Sequence, residues 1–416
     1  MDLRNLGRGE LAVLIPEWLL GGQLIDRAGM PHAIGAFGRE VMGAVAIDEW
    51  MGASPIYSKR MQRFLRFEGD TVECIFKGMQ LDIGAPPQFM DFRYQLNSEY
   101  SGEFWLDHCG ALVDVEPMGE EYVVTMCHDI EDPTFDATAI ATNPRAQIRP
   151  IHRPPREPAD RHPHCHWTVI IDDSHPEVPF PEQATQMMRR AIATIELDEP
   201  DRSEDGLTDY SGPLLADIVW SEFGRTTLVR LAEEIAVEWH LLAISFLEAV
   251  RARAESEKSA LRMYRNQGIG IAGVMAQRLK AAFDLAPDLD GLEAVFQLHP
   301  MMHPLAYTAM ATRRDGDSLV VSFDRRAAAT ADEAWMSFWG DGHLDALQAV
   351  ATEVNQRFVV ALDEASGADS LVVRITEGDA EVAVHSSVEL TRFSTGAGFV
   401  FEERSTPITI TPRSRS

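Results

Sequence analysis

EFWLDHCGALVDVEPMGEEYVVTMCH, residues 103–128, is the stretch on which the reading of the fold turns. Its two ends run in aromatic and β-branched residues. Its middle, Glu116-Pro117-Met118-Gly119-Glu120, puts Pro at the second position of a type I turn and Gly where a three-residue hairpin loop needs positive φ. The stretch therefore predicts two antiparallel strands joined at Pro117-Met118-Gly119. In that register Cys109 faces Cys127, and His108 faces His128 on the other side of the sheet. Cross-strand Cβ atoms lie about 4.5–5.5 Å apart, close enough for two thiolates to share one ion. A slip of one residue pairs His108 with Cys127 instead, so register decides which side chains are ligands.

Upstream, from Glu10 to Met79, apolar residues recur at helical spacing, as in Leu11, Leu14, Ile15, Trp18 and Leu19, then Ile34, Phe37, Val41 and Val45. Short runs such as FRYQL and HWTVIID then read as strands, up to about Asp172. Past the acidic stretch 192–213 the helical texture returns, with Leu228, Leu231, Ile235, Trp239, Leu242 and Phe246 on one stripe. Strands are expected near 305–312, 318–324 and 370–375.

Helices followed by strands, twice, predict an internal duplication. Ala85-Pro86 leading to Tyr94-Gln95-Leu96 matches Ala286-Pro287 leading to Phe296-Gln297-Leu298, and residues 119–126 match 316–323 without a gap. That alignment sets Cys127 against Asp324 and His128 against Arg325. The expected fold class is α+β: two related halves, each a helical layer with an antiparallel sheet. Residues 1–191 carry the Cys/His sheet, 192–213 are a linker, and 214–416 are a degenerate second copy without the metal site.

The chain has 416 residues and a formal net charge of −28, a field that repels phosphate backbones and anionic membranes. Neither nucleic acid nor a membrane is an expected partner. Hydrophobic residues at 45% and charged ones at 25% match a globular chain, so the acidity decorates a folded protein. Four cysteines cannot make a disulfide framework, and no apolar run near the N-terminus reads as a signal core; the expected location is cytoplasmic.

Cys109, Cys127 and Cys165 each adjoin a histidine, and seven of the 13 histidines fall between residues 100 and 175. Thiolate and imidazole hold zinc or iron, so the cluster points to a metal, zinc first and iron second. The fourth ligand is open among Glu131, Asp129, His128, His152 and water. A closed set is structural, whereas an open one makes hydroxide near neutral pH or polarises a carbonyl. A thiolate nucleophile and plain packing are the competing readings of the cysteines. His240, on the apolar stripe, reads as a core histidine. Gly268-Ile269-Gly270-Ile271-Ala272-Gly273 follows a charged helical stretch, which discounts a dinucleotide fingerprint.

The segment 144–163 is Pro-rich and carries Arg145, Arg149, Arg153, Arg156 and Arg161. It is expected to be an extended loop lying across the metal site. Its arginines are either a clamp for a substrate carboxylate or a salt-bridged arm against the acidic body.

Helices leading into a strand with Cys, a Cys-His-Asp at 127–129 and a Cys-x-Trp-x-Val strand at 165–169 resemble two families over about residues 90–172. These are the 4-vinyl reductase-like small-molecule-binding domains and the L-2-amino-thiazoline-4-carboxylate hydrolase-like proteins. The resemblance to the former implies zinc held by Cys109, Cys127, Cys165 and an acid, Glu131 or Asp129, beside an aromatic-ligand pocket. The insertion between the second and third cysteines is longer than that pattern.

The function expected from these features is that of a metal-dependent enzyme, of hydrolase or lyase type, acting on a small aromatic or heterocyclic anion. Asp129, Glu131 and His128 would move protons and Arg145, Arg149, Arg153 and Arg156 would bind substrate. The alternatives are a small-molecule binding or sensing protein with structural zinc, and an interaction protein with no metal. A homo-oligomer is compatible with each.

Overall fold

The structure, a computed structural model, describes residues 3–402 and 408–412. The first half runs α1 (Arg8–Phe37), α2 (Arg39–Phe64), α3 (Val72–Met79), β1 (Met90–Ser98), β2 (Ser101–Cys109), α4 (Gly110–Val115), α5 (Glu120–Val124), a π-helical turn (Thr125–Ile130), α6 (Glu131–Ile140), β3 (Ala146–His152), β4 (Cys165–Ile171), α7 (Glu182–Met187) and α8 (Ala191–Thr194). The second half runs α9 (Arg225–Arg251), α10 (Glu257–Ala282), α11 (Leu289–Leu298), α12 (Leu305–Thr308), β5 (Met310–Asp315), β6 (Ser318–Asp324), α13 (Ala328–Ala331), α14 (Asp345–Val354), β7 (Phe358–Leu362), β8 (Ser370–Glu377) and α15 (Ser386–Thr391).

Each half holds one four-stranded antiparallel sheet, ordered β1-β2-β4-β3 in the first and β5-β6-β8-β7 in the second. In the first sheet Tyr94 faces Phe104, Phe104 faces Trp167, and Leu106 faces Cys165. Because alternate residues share a face, this register collects the apolar side chains on one side. α3 and α6 cover that side: Phe76 of α3 lies 6.4 Å from Phe104, and Phe135 of α6 lies 5.1 Å from Trp167, ring centre to ring centre. Gly102 permits the close approach of α3, since a Cβ there would lie 2.8 Å from Phe76 and Val72.

The four long helices make the shared centre, α1 and α2 packing on α9 and α10. Their contacts are related by a pseudo-dyad that exchanges the halves. α2 and α10 are both 26 residues long. Gly52 of α2 packs against Ser245 of α9, and its counterpart Gly270 of α10 packs against Ala28 of α1, the counterpart of Ser245. Gly29 meets its own counterpart Phe246, and Gly22 its counterpart Trp239, as residues beside a two-fold axis must. α7 on α2 is likewise mirrored by α15 on α10. The chain is thus α+β with two related halves around one continuous core.

Several local expectations are corrected. Residues 120–128 are helical, not a strand: Glu120 and Glu121 suit a helix N-terminus, and Val123, Cys127 and Ile130 bury one helical face. Gly119 does take positive φ, +115°, but it joins helices. β2 instead pairs with β1 and β4, with Cys109 opposite Met90. Residue-level matches between the halves also fail. Tyr94-Gln95-Leu96 lies in β1 but Phe296-Gln297-Leu298 in α11, and 316–323 is the β5–β6 turn and strand, equivalent to the β1–β2 turn and β2. Asp324, at the end of β6, therefore corresponds to the end of β2 near Cys109, not to Cys127. Residues 305–308 are helical, and β7 is a strand beyond those expected. Of the expected loop 144–163, residues 146–152 form β3. The GIGIAG segment lies inside α10, where its glycines admit Trp335, Thr391 and Val388.

Candidate functional site

Cys109 ends β2, Cys127 sits in the π turn, and Cys165 opens β4. The three elements converge at one end of the sheet, and all three side chains are buried. A π turn adds one residue to a helical turn and so re-aims the residues beyond it; Glu131 comes directly after. Burial pushes the Cys109 thiol up to about 12, and the Glu131 carboxylate adds to it. Cys127 and Cys165 are raised well above the usual thiol range, first by burial, then by Glu131 and by neighbouring thiols: Cys109 and Cys165 act on Cys127, Cys109 on Cys165. Three thiols and one carboxylate thus share a single electrostatic environment. None is an activated nucleophile, because burial in apolar surroundings holds a thiol protonated and inert.

The donors are not drawn in around a common point: among the described residues no group of three or more His, Cys, Asp or Glu stands ready to hold a metal ion. Cys109 Sγ accepts from Leu112 N at 3.3 Å and lies 3.8 Å from Met90 Sδ. The donor chemistry nevertheless fits a zinc-type ion, with three buried thiols and a carboxylate whose Oε2 is shut off from solvent without a hydrogen-bond partner. Burial also pushes Glu131 up to about 8, against the opposing charge of Arg153.

Glu131 belongs as well to the wall of a cavity of about 220 Å³ enclosed by α1, α2, β1, α4, the π turn and α6. Its walls are largely apolar, with Met30, Met42, Met90, Met126, Trp50 and Phe135 among them. Gln23, Asp26, Arg27 and Asp82 are its inner polar residues. Asp82 accepts from Tyr57 Oη at 2.7 Å and Gly84 N at 2.6 Å, and burial raises it to about 6. The second half supplies the mouth: Ser394 Oγ donates to Asp114 at 2.6 Å and Thr395 N at 2.8 Å, and Phe393 beside them is 84% exposed.

In the second half the equivalent space is filled. Ala46 and Trp50 of α2 correspond to Tyr264 and Gly268 of α10, and Gln23 of α1 to His240 of α9. Tyr264 stacks on Trp335 at 5.9 Å, the indole lying where a Cβ on Gly268 would meet it at 2.8 Å. His240 packs 6.2 Å from the same indole and 4.9 Å from Tyr307. The core reading of His240 agrees with this placement, its Nε2 paired with the His303 carbonyl at 2.9 Å.

The remaining candidates spread out. His152 faces His166 across β3 and β4, on the face opposite Cys165. His128 Nε2 contacts the Pro154 carbonyl at 2.7 Å, and Asp129 is exposed. Arg145 pairs with Glu177 at 3.0 Å, Arg149 with Asp136 at 2.8 Å, Arg153 with Asp132, and Arg156 with both oxygens of Glu116 at 2.8 Å. Each guanidinium of the expected clamp is therefore engaged by an acid of the same chain. Of these four, Arg153 reaches the cysteine region, opposing the charges of Glu131 and Cys127 while covering Trp167 at 5.8 Å.

Gln23, Asp26, Arg27 and Asp82 were not among the expected site residues. Their signal is polar side chains set inside apolar runs, as in LLGGQLIDRAGM, residues 19–30. No family model, no curated protein and no solved structure matches the chain.

Proposed function

We propose that the first half is a small-molecule site supported by a metal ion, with Cys109, Cys127, Cys165 and Glu131 as its ligands. The observation that carries this reading is the convergence of three buried thiols beneath the one carboxylate that also lines the cavity. A divalent cation among the three thiols would favour their ionised form. The resemblance over residues 90–172 implies the three cysteines with an acid, Glu131 or Asp129.

The cysteines lie behind the cavity wall and only Glu131 reaches it, which favours binding over chemistry at the ion. The chain is accordingly read as a binding or sensing protein for a small, largely apolar molecule. Catalysis is the second reading, favoured by the position of Glu131 between thiols and cavity. When bound, the ion would supply Lewis acidity there; Glu131 itself would hold or move a proton at its Oε2.

Elemental analysis of the purified chain tests this. About one zinc or iron per chain, lost in Cys109→Ser and Cys127→Ser with the fold retained by circular dichroism, is expected. Metal-free protein, or metal kept by both variants, contradicts it.

A further inference from the structure

The proline-rich arm between β3 and β4, residues 153–164, is fastened by side chains. Pro154, Pro155, Pro158 and Pro163 have no N–H to give a strand. Among the described residues its backbone-to-backbone hydrogen bonds are Arg161 N to Pro158 O, within the arm, and His164 N to Leu106 O, at its end. His164 Nδ1 also accepts from Cys109 N at 3.2 Å, so the end that leads into Cys165 is anchored on β2. The rest is tied across to one segment. Arg153 pairs with Asp132, Arg156 grips both oxygens of Glu116 at 2.8 Å, and the Pro154 carbonyl lies 2.7 Å from His128 Nε2. Glu116, His128 and Asp132 flank Cys127 and Glu131 in the sequence. The arm therefore bridges two groups of donors, Cys109 and Cys165 of the sheet and Cys127 and Glu131 of the helical segment.

Two ways out lead from the thiols. On the cavity side Met90 stands against Cys109, sulfur to sulfur at 3.8 Å, and the lining beyond is largely apolar, so entering it costs a hydrated dication its solvation. On the arm side the ion meets carboxylates and imidazoles open to water: Asp129 and His162 are exposed, and Glu116 and Asp132 partly so. These are ligand types that can hand it inward. We infer that the arm is the gate for metal exchange: it swings away from Glu116, His128 and Asp132 about its anchored His164 end, and the ion passes beneath it and not through the cavity. The inference rests on the reading of Cys109, Cys127, Cys165 and Glu131 as ligands of one ion.

Zinc transfer between the full chain and the chromogenic chelator pyridylazoresorcinol, followed by stopped-flow absorbance in both directions, tests it. Arg156→Ala and the isosteric Glu116→Gln each break one clasp without removing a ligand. Each should speed release and uptake alike, by about tenfold, with the equilibrium affinity unchanged, because a gate alters the barrier and not the end states. Arg153 is left in place, since its charge also acts on Cys127 and Glu131. Ala46→Tyr, which fills the cavity, should leave both rates as they are. Faster release with unchanged uptake overturns the inference, since that is lost affinity. Unaltered rates in both clasp variants, or exchange slowed by Ala46→Tyr, overturn it too. Each of these results leaves the metal reading standing, whereas a chain that takes no zinc from the chelator overturns both.

Discussion

Glu49 and Gln267 hold equivalent places in α2 and α10 and meet beside the pseudo-dyad, an acid against its own amide analogue. The equivalence extends along the sequence, Asp48-Glu49 against Asn266-Gln267 and Gly52 against Gly270. Both Glu49 oxygens are buried without a well-formed hydrogen bond. Burial, and then the charge of Asp26, hold its carboxyl well above the ordinary value of 4.5. The folded chain therefore binds more protons than the unfolded chain above that pH.

Stability should for this reason fall as pH rises from 4.5 toward the folded value of Glu49, by up to about 1.4 kcal/mol per pH unit from this group. Glu49→Gln removes that slope and leaves the low-pH stability nearly unchanged. Urea midpoints of the two proteins across pH 4–8 check it; parallel curves would contradict it.

Ala46→Tyr copies into the first half the residue that Tyr264 supplies in the second. It should block apolar probes from the cavity while leaving metal content intact, as read by calorimetry and elemental analysis. Trp335→Ala, in the filled half, should destabilise by about 3–5 kcal/mol in urea denaturation, the cost of a buried cavity.

The arginines of the proline-rich arm should separate by burial. Arg149 is 51% exposed at its side chain, so Arg149→Ala should cost less than about 1 kcal/mol. Arg156, 16% exposed and bidentate on Glu116, should cost about 1–2 kcal/mol when truncated. Equal losses in denaturant midpoint would refute the distinction.

Asp114 ties the mouth of the first half's cavity to the second half through Ser394 and Thr395. Asp114→Asn weakens hydrogen bonds to a charged acceptor, each about 1.5–3 kcal/mol. Amide exchange at Thr395 should then accelerate about tenfold or more, with global stability little changed. Unaltered exchange would show that the mouth is held by other contacts.

The fold class and the duplication were legible because long amphipathic helices and alternating strands leave a period in the sequence. Cys109, Cys127 and Cys165 were legible as a group because thiols are rare. The path that brings them together was not: at 120–128, β-branched residues gave a strand signal, while the burial of Val123, Cys127 and Ile130 made a helix. The residue matches chosen between the halves were short turn-to-strand patterns, which recur anywhere, whereas the true correspondence lies in α2 and α10. The cavity was illegible because it depends on what Ala46 leaves empty and Tyr264 fills, a property of three-dimensional packing.

The central claim is that three cysteines and Glu131 hold one ion. X-ray absorption at the metal edge of the purified chain tests it most directly. A first shell of three sulfurs near 2.3 Å and one oxygen near 2.0 Å, roughly, is predicted for zinc, with one sulfur lost in Cys165→Ser. A shell of nitrogen and oxygen alone would contradict the account.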